Sequence, residues 1–550
     1  MIFSKFPFHT LIISVYPILY LYAKNIVFIP LEDIFRFLGW SVGVTIVLLI
    51  GFRFTLKDWK KAGAICSLIL VLFYSFGHIA NLLVGWGSER GLSFDISILA
   101  WAWLFIFLVG TFILSRSSIA ARSIQFLNIT SGVLILFPLI TVISTVFVLH
   151  GNQQSQDEIL SQLRGEEHAE ASLRPLSPSE FPDIYYIILD GYERADLLQE
   201  FYGYDNSMFI HALEERGFFV ASESRSNYLN TTYSLNTSLN LFYFHEVPTR
   251  IFRVARYNLQ NNYVSDFLRE QGYQIVVFDS GTGDTNNQYA DLFISPSSGK
   301  AQAEPPVNPF EQLLLRTTMG LLLFKGESMV DDATQANDLV IDSINQELAL
   351  RRERVRQALS RLPDYASLDG RYLLFAHIYL PHYPFLYGPN GEEIKYHEDL
   401  NLYWYEVEPE DYIEYYTYQI DYLNQGILET IDQILADSEK PVIIILQSDH
   451  GDEKFLDWDT PSTQGVNVRS AILNAIYFSD RSYTSLYPTI TPVNTFRIVF
   501  NHWFGTQFPL LPDRVFFHEH SLSTPYNKKP EFIDGCTQFN ICLPGVPLEN

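Results

Sequence analysis

Residues 442–453 read VIIILQSDHGDE, an apolar β-branched run that ends in a cluster of polar and acidic residues. A continuous apolar run of this kind is typical of a strand that is buried on both faces of a parallel sheet. In open α/β sheets the reactive side chains lie just beyond the carboxyl ends of the strands. Asp449 and His450 stand at that position, so this stretch indicates both a fold class and the location of a site.

Two other stretches repeat the pattern. Residues 184–189 (IYYIIL) are followed by Asp190, and residues 372–379 (YLLFAHIY) are followed by His382 three residues later. Further strands are predicted at 218–221 and 274–278, and helices at 195–217, 264–271 and 412–437. Strands that alternate with helices predict an α/β domain with a largely parallel sheet. The polar groups that follow the strands should then meet at one edge of that sheet.

Carboxylate and imidazole groups together offer oxygen and nitrogen ligands for a divalent ion. Asp190, Asp449 and His450 are therefore predicted metal ligands. An Asp directly after a strand is also a common turn or cap residue, which is a simpler explanation for Asp190 taken alone. The adjacent Asp449 and His450, followed by glycine, are harder to explain in that way.

The segment 224–240 (SRSNYLNTTYSLNTSLN) is rich in Ser and Thr and poor in large apolar residues. It has two interpretations: a hydroxyl-rich surface loop, or a Thr or Ser nucleophile at the start of a helix. In the second, the helix N-terminus favours an anionic substrate and a metal ion lowers the pKa of the hydroxyl. Composition alone leaves both open.

Residues 1–150 differ in composition from the rest of the chain. They contain ten basic and five acidic side chains, whereas the whole chain of 550 residues has a net charge of −25. A helix that spans a membrane needs about 20 apolar residues, and five uncharged stretches come near this length. They lie at 6–23, 37–52, 62–87, 96–115 and 123–150. Buried helices of a soluble core, or a cleavable signal peptide, explain five such stretches less well.

We therefore expect a five-helix transmembrane domain over residues 1–150. With the N-terminus inside, the inner segments hold seven basic residues and the short outer loops hold three. The positive-inside rule then places the N-terminus in the cytoplasm and, after five crossings, the rest of the chain outside the cytoplasmic membrane. There we expect a polar linker at 151–180, a catalytic domain at 181–530 and a C-terminal tail at 531–550.

The charge and the cysteine content exclude other classes of protein. An acidic chain lacks the basic surface that nucleic acids require, so no nucleic-acid partner is expected. Three cysteines are too few for a disulfide framework. Cys536 and Cys542 both fall on the predicted outer, oxidising side and are separated by five residues, so they should form a disulfide.

In combination these features resemble the sulfatase-like branch of the alkaline phosphatase superfamily. The membrane-bound members of that branch include lipoteichoic acid synthases and phosphoethanolamine transferases. The shared features are Asp190 after the first strand, a hydroxyl segment about forty residues later, the late Ser-Asp-His-Gly at 448–451, and five spans. The resemblance covers nearly the whole chain, in architecture more than in letters. It implies an α/β sulfatase-like domain that lies outside the membrane.

The resemblance also implies a role for each site residue. Asp190, Asp449 and His450 take the positions of metal ligands. Thr231, in a Thr-x-x-Ser pattern, takes the position of the nucleophile and of a further metal ligand, with Thr232 as its competitor. His382 resembles the histidine that contacts the substrate ester or its leaving group.

Departures from the family patterns narrow the choice. No Cys lies between Cys66 and Cys536, and no Ser has the sequence context of the sulfatases that use formylglycine. The next histidine after His450 is His502, so the further histidine of the phosphoethanolamine transferases, a ligand of their second zinc, has no counterpart. The single-metal, Thr-nucleophile arrangement of the lipoteichoic acid synthases fits better.

The expected function is that of a membrane-anchored metalloenzyme that cleaves or transfers a phosphate-ester group through a covalent Thr intermediate. The group would be of the phosphoglycerol or phosphoethanolamine type, and the substrate a membrane lipid or a lipid-linked ester. One divalent ion is expected, with Mn²⁺ or Mg²⁺ favoured over Zn²⁺ or Ca²⁺. The alternatives are a phosphoric or sulfuric ester hydrolase of the same fold and a non-catalytic membrane protein of the cell envelope. The sequence predicts no oligomeric state.

Overall fold

The structure, a computed structural model, divides the chain into two compact units. One unit comprises residues 1–153 and 301–340, and the other comprises residues 154–300 and 341–550. The residues that the structure describes are 6–26, 31–88, 96–119, 121–168, 181–244, 259–287, 289–296, 309–322, 333–395, 408–458, 460–517, 533–539, 541 and 542.

The N-terminal part of the first unit consists of helices that cover the five predicted apolar stretches. They are α1 (Phe8–Asn25), α2 (Phe35–Leu56), α3 (Trp59–Ser88), α4 (Ile96–Arg116) and α5 (Ala121–His168). Among the described residues, four helices are long and apolar enough to cross a membrane, namely α2 to α5. Their large apolar side chains are widely exposed, for example Trp101 at 71% and Phe105 at 67%. Such exposure suits contact with lipid better than contact with water.

Helix α5 is longer than the apolar stretch that predicts it. It continues to His168, through most of the segment 151–180, for which a polar linker was predicted. Residues 169–180 of that predicted linker lie outside the described residues.

A segment from the middle of the chain completes the first unit. Helix α10 (Pro309–Thr317) packs against α1, α3 and the short 3-10 helix Leu31–Ile34. Phe310 and Leu314 are buried in one apolar cluster with side chains of these elements. The buried carboxylate of Glu311 accepts hydrogen bonds from the Arg36 guanidinium, and the two form an ion pair. The sequence did not predict this grouping, because it placed residues 181–530 in one domain.

The second unit is built on a seven-stranded sheet with the order β2-β7-β6-β1-β5-β3-β4. The central strands β6, β1, β5, β3 and β4 are parallel, whereas β7 runs antiparallel to β6 and to β2. The predicted α/β domain with a largely parallel sheet is therefore confirmed. The strands are β1 (Asp183–Leu189), β2 (Phe219–Val220), β3 (Gln274–Phe278), β4 (Leu292–Ile294), β5 (Tyr372–Ile378), β6 (Val442–Ser448) and β7 (Asn474–Phe478).

Helices cover both faces of this sheet, which explains the continuous apolar runs. All residues of β1 are buried: Tyr185 and Ile187 belong to one apolar cluster, and Tyr186 and Ile188 belong to the other. The alternation follows from the two-residue period of a strand. The helices of this unit are α6 (Ala195–Tyr202), α7 (Ser207–Glu215), α8 (Thr231–Asn240), α9 (Tyr263–Glu270), the larger part of α11 (Ala333–Arg361), α12 (Pro409–Asp437), α13 (Thr463–Ser470) and α14 (Pro492–Phe504).

The predicted helix at 195–217 is wrong in one respect, since it is two helices. Helix α6 ends at Tyr202 because Gly203 adopts a left-handed conformation with φ of 63°, and its N–H bonds back to Leu198 O. Helix α7 starts again at Ser207. A glycine at this position terminates a helix without steric cost, whereas the helical spacing of the apolar residues continues on both sides of it.

The predicted C-terminal tail at 531–550 contains a strand and a short helix among its described residues. Strand β9 (Ile533–Asp534) pairs with β8 (Phe516–Phe517), and α15 (Gly535–Phe539) follows directly. Cys536 and Cys542 are joined by a disulfide, as the sequence predicted. Cys66, in α3, is a free buried thiol.

Thiol labelling checks this assignment in solution. Unreduced full-length protein, denatured and treated with a maleimide, should gain one label, on Cys66, because the other two sulfurs are bonded to each other. Reduction before labelling should raise the number to three. Three labels without reduction would contradict the disulfide.

Removal of either side of the Arg36 and Glu311 ion pair should destabilise the first unit to different extents. The Glu311 side chain is 5% exposed and the Arg36 side chain is 44% exposed, so Arg36→Gln removes a cation from beside a buried carboxylate. It should cost about 1–2 kcal/mol of stability after screening by solvent, and Glu311→Gln should cost less. Thermal unfolding of the full-length protein in detergent measures both. The double variant should be more stable than Arg36→Gln alone, and a double variant that is less stable would refute the pairing.

Candidate active site

The register of three parallel strands assembles the site. Strand β1 lies between β5 and β6, and its last residue, Leu189, is level with Ile378 on one side and Ser448 on the other. The next residues of β1 and β6 are Asp190 and Asp449, which therefore emerge side by side at the carboxyl edge of the sheet. Both are buried, with 0% and 1% of their surface exposed.

Two glycines allow the chain to turn tightly at this edge. Gly191, directly after Asp190, has a φ of 75°, which residues with a Cβ rarely adopt. Gly451, directly after His450, has no room for a side chain, because a Cβ there would lie 2.3 Å from Val468 O. The backbone therefore bends at once after each ligand candidate.

Asp190, Asp449 and His450 form a compact cluster of donor atoms. His450 Nε2 lies 3.2 Å from Asp449 Oδ2 and 3.7 Å from Asp190 Oδ1, and one donor atom from each residue lies within 4.8 Å of the others. His450 Nδ1 donates to Gly451 O over 3.0 Å, so Nε2 carries the lone pair of the neutral ring; Nε2 lies near the carboxylates and also accepts a hydrogen bond from Arg469. Burial and the nearby Arg469 hold the pKa of His450 well below its ordinary value, so the imidazole is neutral, the form that binds metals.

The carboxylates lack the donors that buried anions need. Asp449 Oδ1 accepts hydrogen bonds from Gly191 N and His450 N, but Asp449 Oδ2 and both oxygens of Asp190 have no well-formed hydrogen bond from the described part of the chain. Burial and the neighbouring Asp190 raise the pKa of Asp449. Two buried carboxylates this close together are costly unless a cation lies between them. The three residues thus fit a divalent ion, and their oxygen-rich set favours a hard one.

Thr231 contributes a hydroxyl to the same cluster. It is the first residue of α8, whose N-cap is Asn230 with its side chain bonded to Tyr233 N. Thr231 Oγ1 lies 3.2 Å from His450 Nε2. Thr232, the competing candidate, is buried and its hydroxyl donates to Asp284 Oδ2 over 2.7 Å, so it has a partner elsewhere. The structure thus brings Thr231, and not Thr232, to the predicted ligands.

His382 lies at the border of the cluster. Its backbone N–H donates to Asp190 O over 3.0 Å, and its Nδ1 donates to Tyr383 O over 2.6 Å. Its Nε2 is 3.8 Å from Glu453 Oε1, and its ring centroid is 6.4 Å from that of His450. The imidazole is 19% exposed, which leaves Nε2 accessible to a substrate beside the cluster.

The sequence analysis missed two residues that contact the cluster. His377, in β5, is buried with Nε2 3.3 Å from Asp190 Oδ2 and 4.0 Å from Asp449 Oδ2. Burial disfavours its charged form, but Asp190 and Asp449 outweigh burial and raise its pKa. A histidine inside an apolar strand was the available signal. Arg469, at the end of α13, donates to His450 Nε2, Gly451 O and Leu229 O, and its sequence context gave no signal.

No protein-family model matches the sequence, and no curated protein is similar to it. Solved structures with a similar arrangement include the periplasmic domain of EptC from Escherichia coli in complex with Zn, at 12% identity and a TM-score of 0.40 over 66% of this chain and 96% of that one. The membrane protein lipooligosaccharide phosphoethanolamine transferase A from Neisseria meningitidis matches at 12% identity and a TM-score of 0.33. This match covers 88% of this chain and 90% of that one. A proposed sulfatase from Bacteroides thetaiotaomicron matches at 12% identity and a TM-score of 0.36, over 62% of this chain and 78% of that one.

These similar structures belong to the class of proteins that the sequence resembles, namely sulfatase-like enzymes of the alkaline phosphatase superfamily. At such low identity and TM-scores they identify neither the substrate nor the roles of single residues. Those depend on the contacts within this chain.

Metal analysis tests the ligand set. Full-length protein that has been incubated with Mn²⁺ and desalted should retain one ion per chain, and Asp449→Asn should lose it, because the amide removes an anionic ligand from the cluster. Asp452→Asn is a matched control, since Asp452 is equally buried in the same loop but bonds to Tyr202 and Tyr412. Elemental analysis measures both variants. Full retention of the ion by Asp449→Asn would overturn the assignment.

Proposed function

We propose that this protein is a membrane-anchored metalloenzyme that transfers or hydrolyses a phosphate-ester group through a covalent intermediate on Thr231. The observation that carries the proposal is the Thr231 hydroxyl at the start of α8, 3.2 Å from His450 Nε2 and beside two buried carboxylates that lack donors. A plain surface loop would have no reason to place a hydroxyl against such a cluster.

The residues Asp190, Asp449, His450 and Thr231 would hold the ion. A divalent ion bound there would supply the charge that lowers the pKa of the Thr231 hydroxyl and stabilises the oxygens of a phosphoryl group. Mn²⁺ and Mg²⁺ suit the oxygen-rich set best, with Zn²⁺ and Ca²⁺ as further candidates.

Thr231 is placed to act as the nucleophile. It is partly accessible and stands at the N-terminus of a ten-residue helix, where free backbone N–H groups favour an anion. Its oxygen, after losing its proton to solvent, attacks phosphorus and the bond from phosphorus to the leaving oxygen breaks. A second alcohol or water then displaces phosphorus from Thr231 and restores the hydroxyl.

His382 is placed to give a proton to the leaving oxygen. Its Nδ1 is fixed on Tyr383 O, so the ring orientation is set and Nε2 is the atom free to exchange a proton. Glu453 Oε1 lies 3.8 Å from Nε2, so this nitrogen faces the polar side of the site, where a proton can pass to the departing oxygen. Loss of the proton to the alkoxide leaves a neutral imidazole that can later accept one.

The N-terminal helices support a substrate that is itself in the membrane. Four apolar helices suitable for spanning precede the catalytic unit, and a soluble substrate would need no such anchor. We propose a lipid or lipid-linked phosphate ester at the outer face of the cytoplasmic membrane, with the N-terminus inside. The preference for transfer over hydrolysis rests on this anchoring.

Substitution of the two threonines tests the mechanism. With the metal-loaded full-length protein and bis(4-nitrophenyl) phosphate as the probe, Thr231→Ala should lower turnover by about 10³-fold or more, since the nucleophile is lost. Thr232→Ala should lower it by about tenfold or less, because only a bond to Asp284 is lost. Thr231→Ser, which keeps a hydroxyl, should retain part of the activity.

Intact-mass spectrometry adds a second readout. After incubation with vesicles of phosphatidylglycerol and phosphatidylethanolamine, wild-type protein should carry an adduct that Thr231→Ala does not, and the added mass would identify the transferred group. Full activity in Thr231→Ala would rule out the covalent mechanism. Loss of activity in Thr232→Ala instead would assign the nucleophile to that residue.

A further inference from the structure

We propose that Arg351 binds the phosphate group of the substrate and is a substrate-binding residue of this site. The inference rests on the proposed function and names the group that recognises the negative charge of the ester. Arg351 lies on α11, outside every segment from which the site residues were predicted.

Contacts place the Arg351 guanidinium beside His382. It stacks on the Tyr379 ring with 4.1 Å between the guanidinium carbon and the ring centroid, and the Tyr379 ring lies 4.7 Å from the His382 ring. The carbonyl of Tyr383 accepts hydrogen bonds from both side chains, from Arg351 Nη1 over 3.4 Å and from His382 Nδ1 over 2.6 Å. The guanidinium and the proposed acid thus share one carbonyl.

Arg351 differs from the other arginines of its helix in having no carboxylate partner in the described part of the chain. Arg352 pairs with Glu393, Arg354 with Asp279, and Arg356 with Glu353 and Glu393. The hydrogen bond from Arg351 to Tyr383 O is its one hydrogen bond to the described residues, and it is long. Most of its N–H groups therefore have no acceptor among the described residues, although the side chain is half-buried.

The Arg351 guanidinium is half-buried, and most of its N–H donors have no partner among the described residues, so it is suited to bind an anion. Cation–π contact with Tyr379 offsets only part of the cost of removing the charge from water. Burial lowers the pKa of Arg351, and the nearby Tyr379 and Asp190 offset only part of this effect. The guanidinium therefore interacts electrostatically with groups of the site. The planar fork of a guanidinium matches two oxygens of a phosphate, and such charge-assisted pairs are among the strongest in proteins.

Phosphate binding tests the role separately from catalysis. Inorganic phosphate, titrated calorimetrically into the full-length protein loaded with Mn²⁺, should bind about tenfold or more weakly to Arg351→Gln than to wild type. Arg351→Lys should recover part of the affinity, because it restores the charge without the fork. Arg351→Met, which keeps the apolar stem over Tyr379, should behave as Arg351→Gln does and replaces it if that variant does not fold.

Arg356→Gln is the matched control, since it removes the same charge from the same helix at an exposed, paired position. It should bind phosphate as wild type does. The Mn²⁺ content of the Arg351 variants should be unchanged, and the KM for bis(4-nitrophenyl) phosphate should rise more than kcat falls.

The outcomes separate this proposal from the proposed function. Unchanged phosphate affinity in Arg351→Gln and Arg351→Met would overturn the role of Arg351 and leave the proposed function standing. An equal loss of phosphate affinity in Arg356→Gln would show a long-range effect of charge, and it would also overturn the role of Arg351. Wild-type protein that retains Mn²⁺ but binds no phosphate would overturn both.

Discussion

The proximity of the Asp190 and Asp449 carboxylates, whose nearest ligand atoms lie within 4.8 Å, is the constraint on which the site depends. It exists because β1 pairs in parallel with β6 and places both carboxylates, buried, at the same edge of the sheet. Like charges in a buried position are stable only beside cations or with many donors, and the backbone supplies donors to one oxygen alone. The neutral His450, the hydroxyl of Thr231 and the imidazole of His377 surround the oxygens that remain. Each of these groups makes sense as a neighbour of a bound cation.

The sequence predicts the parts of this arrangement that are encoded locally. The runs at 184–189, 372–379 and 442–446 mark β1, β5 and β6, because strands that are buried on both faces need apolar residues throughout. Their parallel order then places Asp190 near Asp449. His377 interrupts the apolar run of β5, which was the signal for it, but only the pairing of β5 with β1 places it against Asp190. The packing of α10 with the N-terminal helices depends on residues nearly 300 positions apart, and no local pattern reveals it.

The negative net charge of the chain is unfavourable for binding an anionic substrate. The chain carries a net charge of −25, and a field of that sign slows the approach of an anionic ester. For the function that we propose, attraction must therefore come from groups close to the site: a bound cation, the N-terminus of α8 and a guanidinium without a carboxylate partner among the described residues. Of the arginines on α11, Arg351 is the one that stands beside His382, whereas its neighbours are neutralised by Asp and Glu. Salt screens the distant charges more than these contacts, so added salt should not remove binding at the site.

The packing of helix α10 and the positions of two lysines can both be compared with the membrane topology that we propose. Helix α10 packs with the end of α1 and the turn before α2, and Glu311 pairs with Arg36. In the topology that we propose, these helix ends lie on the outer side. The opposite ends are rich in lysine: Lys60 and Lys61 cap carbonyls at and beyond the end of α4. The positive-inside rule assigns those lysine-rich ends to the cytoplasm, which is the orientation that we propose.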